Sequence, residues 1–151
     1  MHDEAPQGPS KWVGHVMSQL AGGVRQETAE ALAPLGLTPI LFGCLEAIAA
    51  AGPLSQVALG QMVRVDRTTI VQLLDVLEGA GLAERRPDPS DRRVHAVSLT
   101  KLGFERLEHA RAAAHAAEAA FLAPLSEQER EALIRVLRKL YAARTDASCG
   151  A

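Results

Sequence analysis

The chain has 151 residues, room for one domain of ordinary size with an interior of its own. Apolar residues make up 48% but aromatics only 3%, so alanine and leucine supply the core, which favours packed helices over an aromatic-rich sandwich. The net charge is −2, and residues 64–101 carry seven basic against six acidic groups, so charge alone makes no case for a nucleic-acid partner.

Residues 1–10, with Pro6, Gly8 and Pro9, read as a mobile lead-in and show no basic-then-apolar secretory leader. A first helix is predicted over residues 11–33 from the spacing of Val13, Val16, Met17, Leu20 and Val24, with Gly22 and Gly23 weakening its middle. Pro34 and Gly36 end it. Thr38 caps a second helix, with Pro39 at its first position and Ile40, Leu41, Cys44, Leu45 and Ile48 as its buried stripe. Ser55 caps a short helix to about residue 61, with Val57, Leu59 and Met62 facing inward. Asp66 caps the next, to about Gly79, with Ile70, Leu73, Leu74 and Leu77 inside. Gly81 suits a left-handed helix end. Residues 82–86 and 94–99 read as two strands around the turn-rich Pro87, Asp88, Pro89, Ser90 and Asp91. Thr100 caps a long alanine-rich helix to about Phe121. Ser126 and Glu129 form a capping box for a last helix with Leu133, Ile134, Leu137, Leu140 and Tyr141 on one face. From Thr145 the tail reads as disordered. No apolar stretch reaches the roughly 18 residues a membrane span needs. A soluble, cytoplasmic protein is the expectation.

The order helix, short helix, tight turn (Val63, Arg64, Val65), helix, hairpin is that of a winged helix-turn-helix, whose second helix offers its N-terminal residues to the major groove. Arg67 suits guanine edges or phosphate, Thr68 and Thr69 phosphate or a thymine methyl, and Gln72 adenine. Ser55 and Gln56 open the short helix and can meet phosphate there, although Ser55 serves equally well as a plain cap. On the hairpin tip, Arg92 and Arg93 sit on a stiff loop that can enter a narrow minor groove. Asp88 and Asp91 beside them make poor DNA contacts but good partners for holding a guanidinium in place, Asp91 above all.

The run Leu37, Thr38, Pro39; Gly52, Pro53, Leu54, Ser55; Asp66, Arg67, Thr68, Thr69; and Leu77 to Leu82 resembles the multiple-antibiotic-resistance regulator (MarR) family. The block from Glu84 to Arg93, followed by Val97 to Gly103, is its most specific part. The resemblance covers residues 37–103 and implies a bacterial transcription regulator of mainly α fold. Its two-stranded β wing and helix-turn-helix lobe (37–99) would join a helical dimerisation region (11–36 and 100–144). It further implies an obligate homodimer on double-stranded DNA. Arg93 would be the minor-groove arginine and Asp91 its support, with repression released by a small aromatic or phenolic effector between lobe and dimer region. Other members sense oxidants through a cysteine.

Each feature has a plainer reading. Cys44, within an apolar stripe, is ordinarily a small hydrophobe, and Cys149 in the tail lacks a scaffold; two such cysteines make no disulfide framework. Trp12 either lines an effector pocket or packs in the dimer interface, and His15, Gln19, His95 and Cys44 are further candidates for the pocket. His109 and His115 are six apart, on different helix faces, and no paired metal motif occurs, so neither metal nor cofactor is expected. An enzyme would need a nucleophile, base and pocket, for which no motif is present. A protein–protein adaptor of the same fold is the third reading.

Overall fold

The computed structural model describes residues 8–87 and 95–148. Six helices and three short strands follow one another there. They are α1 (Val13–Leu32), α2 (Pro39–Ala51), β1 (Leu54–Ser55), α3 (Gln56–Val63), α4 (Arg67–Gly79), β2 (Ala83–Pro87), β3 (His95–Leu99), α5 (Lys101–Phe121) and α6 (Glu127–Ser148).

The caps expected from the sequence close these helices. Thr38 Oγ1 accepts from the Leu41 N–H at 3.4 Å, and Ser55 Oγ from Ala58 at 3.2 Å. At the start of α6, Glu129 Oε2 accepts from the Ser126 N–H at 2.8 Å, and Ser126 Oγ from the Glu129 N–H at 3.4 Å. Each cap satisfies a backbone donor that the helix leaves open. Gly81 adopts φ +70, the left-handed end that a Cβ would strain.

The wing is a three-stranded antiparallel sheet in the order β1-β3-β2. The expected hairpin pairs Ala83 with Leu99 through to Pro87 with His95. The third strand was not foreseen: Leu54 and Ser55 pair with Val97 and Ala96. Two residues carry no readable alternation, so β1 exists only because β3 offers a free edge.

One core joins the lobe to the long helices. Leu41, Cys44, Leu45 and Ile48 of α2 meet Leu59 of α3, Ile70, Leu74 and Leu77 of α4, Val97 of β3 and Leu107 of α5. The stripe on α4 is spaced i, i+4, i+7, one face of a helix. Gly103 is where the lobe meets α5 most closely: a Cβ there would lie 1.9 Å from the Leu82 carbonyl oxygen. Thr100 ties the same corner, donating its hydroxyl to Gly81 O at 2.6 Å and accepting from Gly103 N at 2.9 Å.

Several expectations need correction. Val57 and Met62 are 62% and 51% exposed rather than inward. Residues two apart on a helix lie on opposite sides, so the face that buries Leu59 must expose Val57. Ile40, in the first turn of α2, sits at the rim of the core and is also exposed. Gly8–Lys11 forms a turn of 3-10 helix within and beyond the expected lead-in. At the other end, α6 continues to Ser148, past Thr145, where the tail was expected to begin.

Candidate nucleic-acid interface

Arg64, a non-glycine residue with φ +57, closes α3 just after Val63, and its left-handed turn throws the chain back towards α4. The Val65 N–H donates to Gly60 O at 3.0 Å. The turn is therefore Arg64, Val65 and Asp66, one residue later than the spacing suggested. Asp66 then caps α4 three times over. Its Oδ1 accepts from the Thr68 and Thr69 N–H groups at 2.8 and 2.9 Å, and its Oδ2 from the Thr69 hydroxyl at 2.7 Å. The Thr69 hydroxyl is the largest cause holding the Asp66 carboxyl below the usual carboxylate range.

This capping sorts the expected reading residues. Arg67, Thr68 and Gln72 are exposed at the N-terminal half of α4. Thr69 is half-buried with its hydroxyl proton given to Asp66, which leaves its methyl and remaining lone pairs for a partner. Ser55 is engaged as a cap. Gln56, Gln61 and Arg67 line a cavity of about 260 Å³ between α3 and α4, floored by Ile70 and Val71.

The C-terminal half of α4 is braced by a residue that the sequence reading passed over. The backbone N–H of Arg85, on β2, donates to Glu78 Oε1 at 2.8 Å, and its Nε and Nη2 donate to Glu78 Oε2 at 2.8 and 2.6 Å. Its Nη2 also meets Asp75, and its Nη1 donates to Gln56 Oε1 at 3.1 Å. One guanidinium thus joins the wing, the recognition helix and the first turn of α3. Glu78, with Arg85 as the main cause, is held below the usual carboxylate range, and Arg85 is raised above its ordinary value chiefly by Glu78. The signal was available: Asp75 and Glu78 stand i, i+3 on one helix face, a pair of carboxylates in want of a cation.

Asp88, Asp91, Arg92 and Arg93 lie outside the described residues, as does Cys149. Trp12, at the N-cap of α1, and His15 and Gln19 on it are all exposed, and the Lys11 ammonium lies 5.4 Å from the Trp12 ring centroid. Cys44 is not exposed with them. It is fully enclosed by the lobe core, and burial pushes its thiol up to about 11. Two arginines fasten α5 to α2 and to the turn that precedes it. Arg111 Nε and Nη2 donate to the two Glu46 oxygens, each at 2.8 Å, and Arg106 donates to the Leu35 carbonyl. No group of three or more metal-ligating side chains occurs among the described residues, and no single helix there is long and apolar enough to cross a membrane.

A capped recognition helix, a left-handed turn before it and an antiparallel wing behind it define a winged helix-turn-helix protein. The MarR family model matches residues 35–94, the span from the turn after α1 into the wing. Repressor Rv2887 of Mycobacterium tuberculosis is 31% identical over 138 residues, 91% of this chain and 95% of the relative. The chain belongs to the MarR family of transcription regulators. A regulatory protein named for the hcr operon of Thauera aromatica is 40% identical over 106 residues, 70% of this chain, and the match spans 64% of that relative's length. Among solved structures, the repressor CouR bound to a 23-mer DNA duplex superposes with a TM-score of 0.82 at 29% identity, covering 92% of this chain and 99% of that one. Rv2887 has been solved with DNA (TM-score 0.77, 30% identity, 85% and 97% covered) and with salicylic acid (0.72, 31%, 91% and 98%).

Proposed function

We propose that this chain is a homodimeric, cytoplasmic repressor that reads a pseudo-palindromic operator and is released from it by a small aromatic or phenolic acid. The observation that carries the reading is the recognition helix itself. Its N-terminal half offers Arg67, Thr68 and Gln72 to solvent, while its C-terminal half is clamped to the wing through Arg85. Donors and a guanidinium on a rigid, protruding helix suit base edges in a major groove, and Gln56 suits the adjoining phosphates. Arg92 and Arg93 are the proposed minor-groove contacts, with Asp88 and Asp91 orienting them.

The two-fold relation follows from apolar surface that one chain leaves bare. Trp12, just before α1, and Val13, Met17 and Leu20 on it are exposed, as are Val136, Leu137 and Leu140 on α6. A second copy covering these faces sets two recognition helices about one helical turn of DNA apart, roughly 10–10.5 bp between half-site centres. Trp12, His15 and Gln19 would border the crevice between dimer region and lobe, where an aromatic acid has both a ring surface and donors. Such an effector releases DNA only if it binds the DNA-incompatible lobe spacing more tightly. The solved complexes of Rv2887 with DNA and with salicylic acid support both halves of this reading. Cys44, buried and kept as a thiol, offers no reactive thiolate for oxidant sensing.

The test is footprinting on the DNA flanking the protein's own gene, repeated across a salt series and a panel of phenolic acids. Protection of two half-sites, weakening steeply with salt and lost with one of the acids, is the expected result. A chain that protects nothing even at low salt is an adaptor, and the proposal fails.

A further inference from the structure

We propose that Arg85 is a positioning residue that makes Gln56 a donor-only contact for the DNA backbone, an inference that rests on the DNA-binding reading above. An arginine side chain carries donors and no acceptor, so the group that Gln56 turns to it must be the amide oxygen, as the 3.1 Å contact from Nη1 to Oε1 shows. The amide nitrogen is thereby aimed away from Arg85 and makes no hydrogen bond among the described residues. Gln56 opens on the cavity between α3 and α4, beside Arg67 and Gln61. Two N–H donors held at that rim match a phosphate oxygen, which only accepts. A free amide would present its oxygen there part of the time and meet the phosphate with the wrong dipole.

Arg85 itself is poorly placed to attract DNA. Its charge is spent on Glu78 and Asp75, and its side chain is 21% exposed. It therefore acts through Gln56 and leaves the count of phosphates neutralised unchanged, so its removal should not alter the salt slope of binding.

The experiment measures duplex affinity on operator and random DNA, with thermal midpoints, for the wild type, Gln56→Ala, Gln56→Glu, Arg85→Lys and the Gln56→Ala/Arg85→Lys pair. Lysine keeps a cation for Glu78 and Asp75 but lacks the fork that also reaches Gln56. Gln56→Ala should weaken binding about 10-fold on both DNAs, as for a charge-assisted hydrogen bond. Arg85→Lys should cost a similar factor with the salt slope unchanged, and the pair no more than either alone. Gln56→Glu separates positioning from mere bracing: its carboxylate keeps the bridge to Arg85 and the thermal midpoint, yet should bind DNA worse than Gln56→Ala. Wild-type affinity in Gln56→Glu or Gln56→Ala, or losses that multiply in the pair, would overturn the assignment while the DNA-binding reading stands. A wild-type chain that binds neither duplex removes that reading and this one with it.

Discussion

Leucine does opposite things in the two parts of this molecule. In the lobe, Leu59, Leu74 and Leu77 are shut away from solvent, and every helix start there has a side-chain cap. In the end helices, Leu20, Leu137 and Leu140 are between 42% and 51% exposed, and α6 touches little of its own chain among the described residues beyond the turn that leads into it. The lobe is a finished fold, since its apolar stripes find one another within a single chain. Although Leu32 of α1 and Leu107 of α5 join the lobe's core, the outward stripes of α1 and α6 are half of a fold, carrying the spacing of a core without its other side. In the proposed dimer, a stripe that periodicity marks as buried is covered by a second copy rather than by its own neighbours.

The largest expected effect comes from breaking the unfinished part. Charges at Leu137→Glu with Leu140→Glu should turn a dimer into a monomer in sedimentation equilibrium and lower operator affinity by more than about 100-fold, the advantage of two linked half-site contacts. An unchanged dimer would place the interface elsewhere. Gly103→Ala strikes the seam between the lobe and α5 instead. Its methyl would press on the Leu82 carbonyl, with an expected loss of about 1–3 kcal/mol in urea unfolding. The dimer constant of the folded chains should stay as it was.

Acid should separate the parts further. Glu78 and Glu46 have carboxyls held below their usual 4.5, chiefly by hydrogen bonds from Arg85 and Arg111 respectively. A carboxyl depressed in the folded state adds stability above its unfolded value and loses that contribution as pH falls through the depressed one. Thermal midpoints should therefore be level near neutrality and decline below about pH 4.5, with Glu78→Gln showing a shallower decline. Calorimetry between pH 7 and 3 reads this, and a Glu78→Gln profile identical to wild type would show that the clamp adds no acid sensitivity. The smallest effect should be at Cys44. With its thiol pushed up to about 11 and enclosed in the lobe, it should resist alkylation in the native state, and peroxide acting on it should not release DNA. A Cys149→Ser background isolates the reading.

Much of the fold was legible because its signals are local. Thr38, Ser55, Asp66, Thr100 and Ser126 each sit just before an apolar repeat, and each cap closes within three residues. Gly81 announced its left-handed turn. Arg67, Thr68 and Gln72 were placed by counting from Asp66, and they emerge on the exposed half of α4. Thr69 was counted with them, yet its hydroxyl is taken up by the cap, which helical spacing does not reveal. Val57 and Met62 were misjudged because eight residues of α3 hold too few apolar positions to fix which face turns inward. Arg64 gave no sign of its left-handed backbone, since arginine has no preference for it.

Residue order alone settled which segments are helices, where most of them start, and that two strands follow the recognition helix. These depend on side chains acting on backbone within a few positions, and such interactions survive without knowledge of the rest of the chain. Only the folded arrangement could show that β1 joins the wing, that Arg85 spans 29 residues to reach Gln56 and that Arg111 crosses 65 to reach Glu46. Those pairings turn on where distant segments come to rest. Their directions in space are set by the packing of one shared core, a quantity that belongs to all the helices together and to no stretch of sequence by itself.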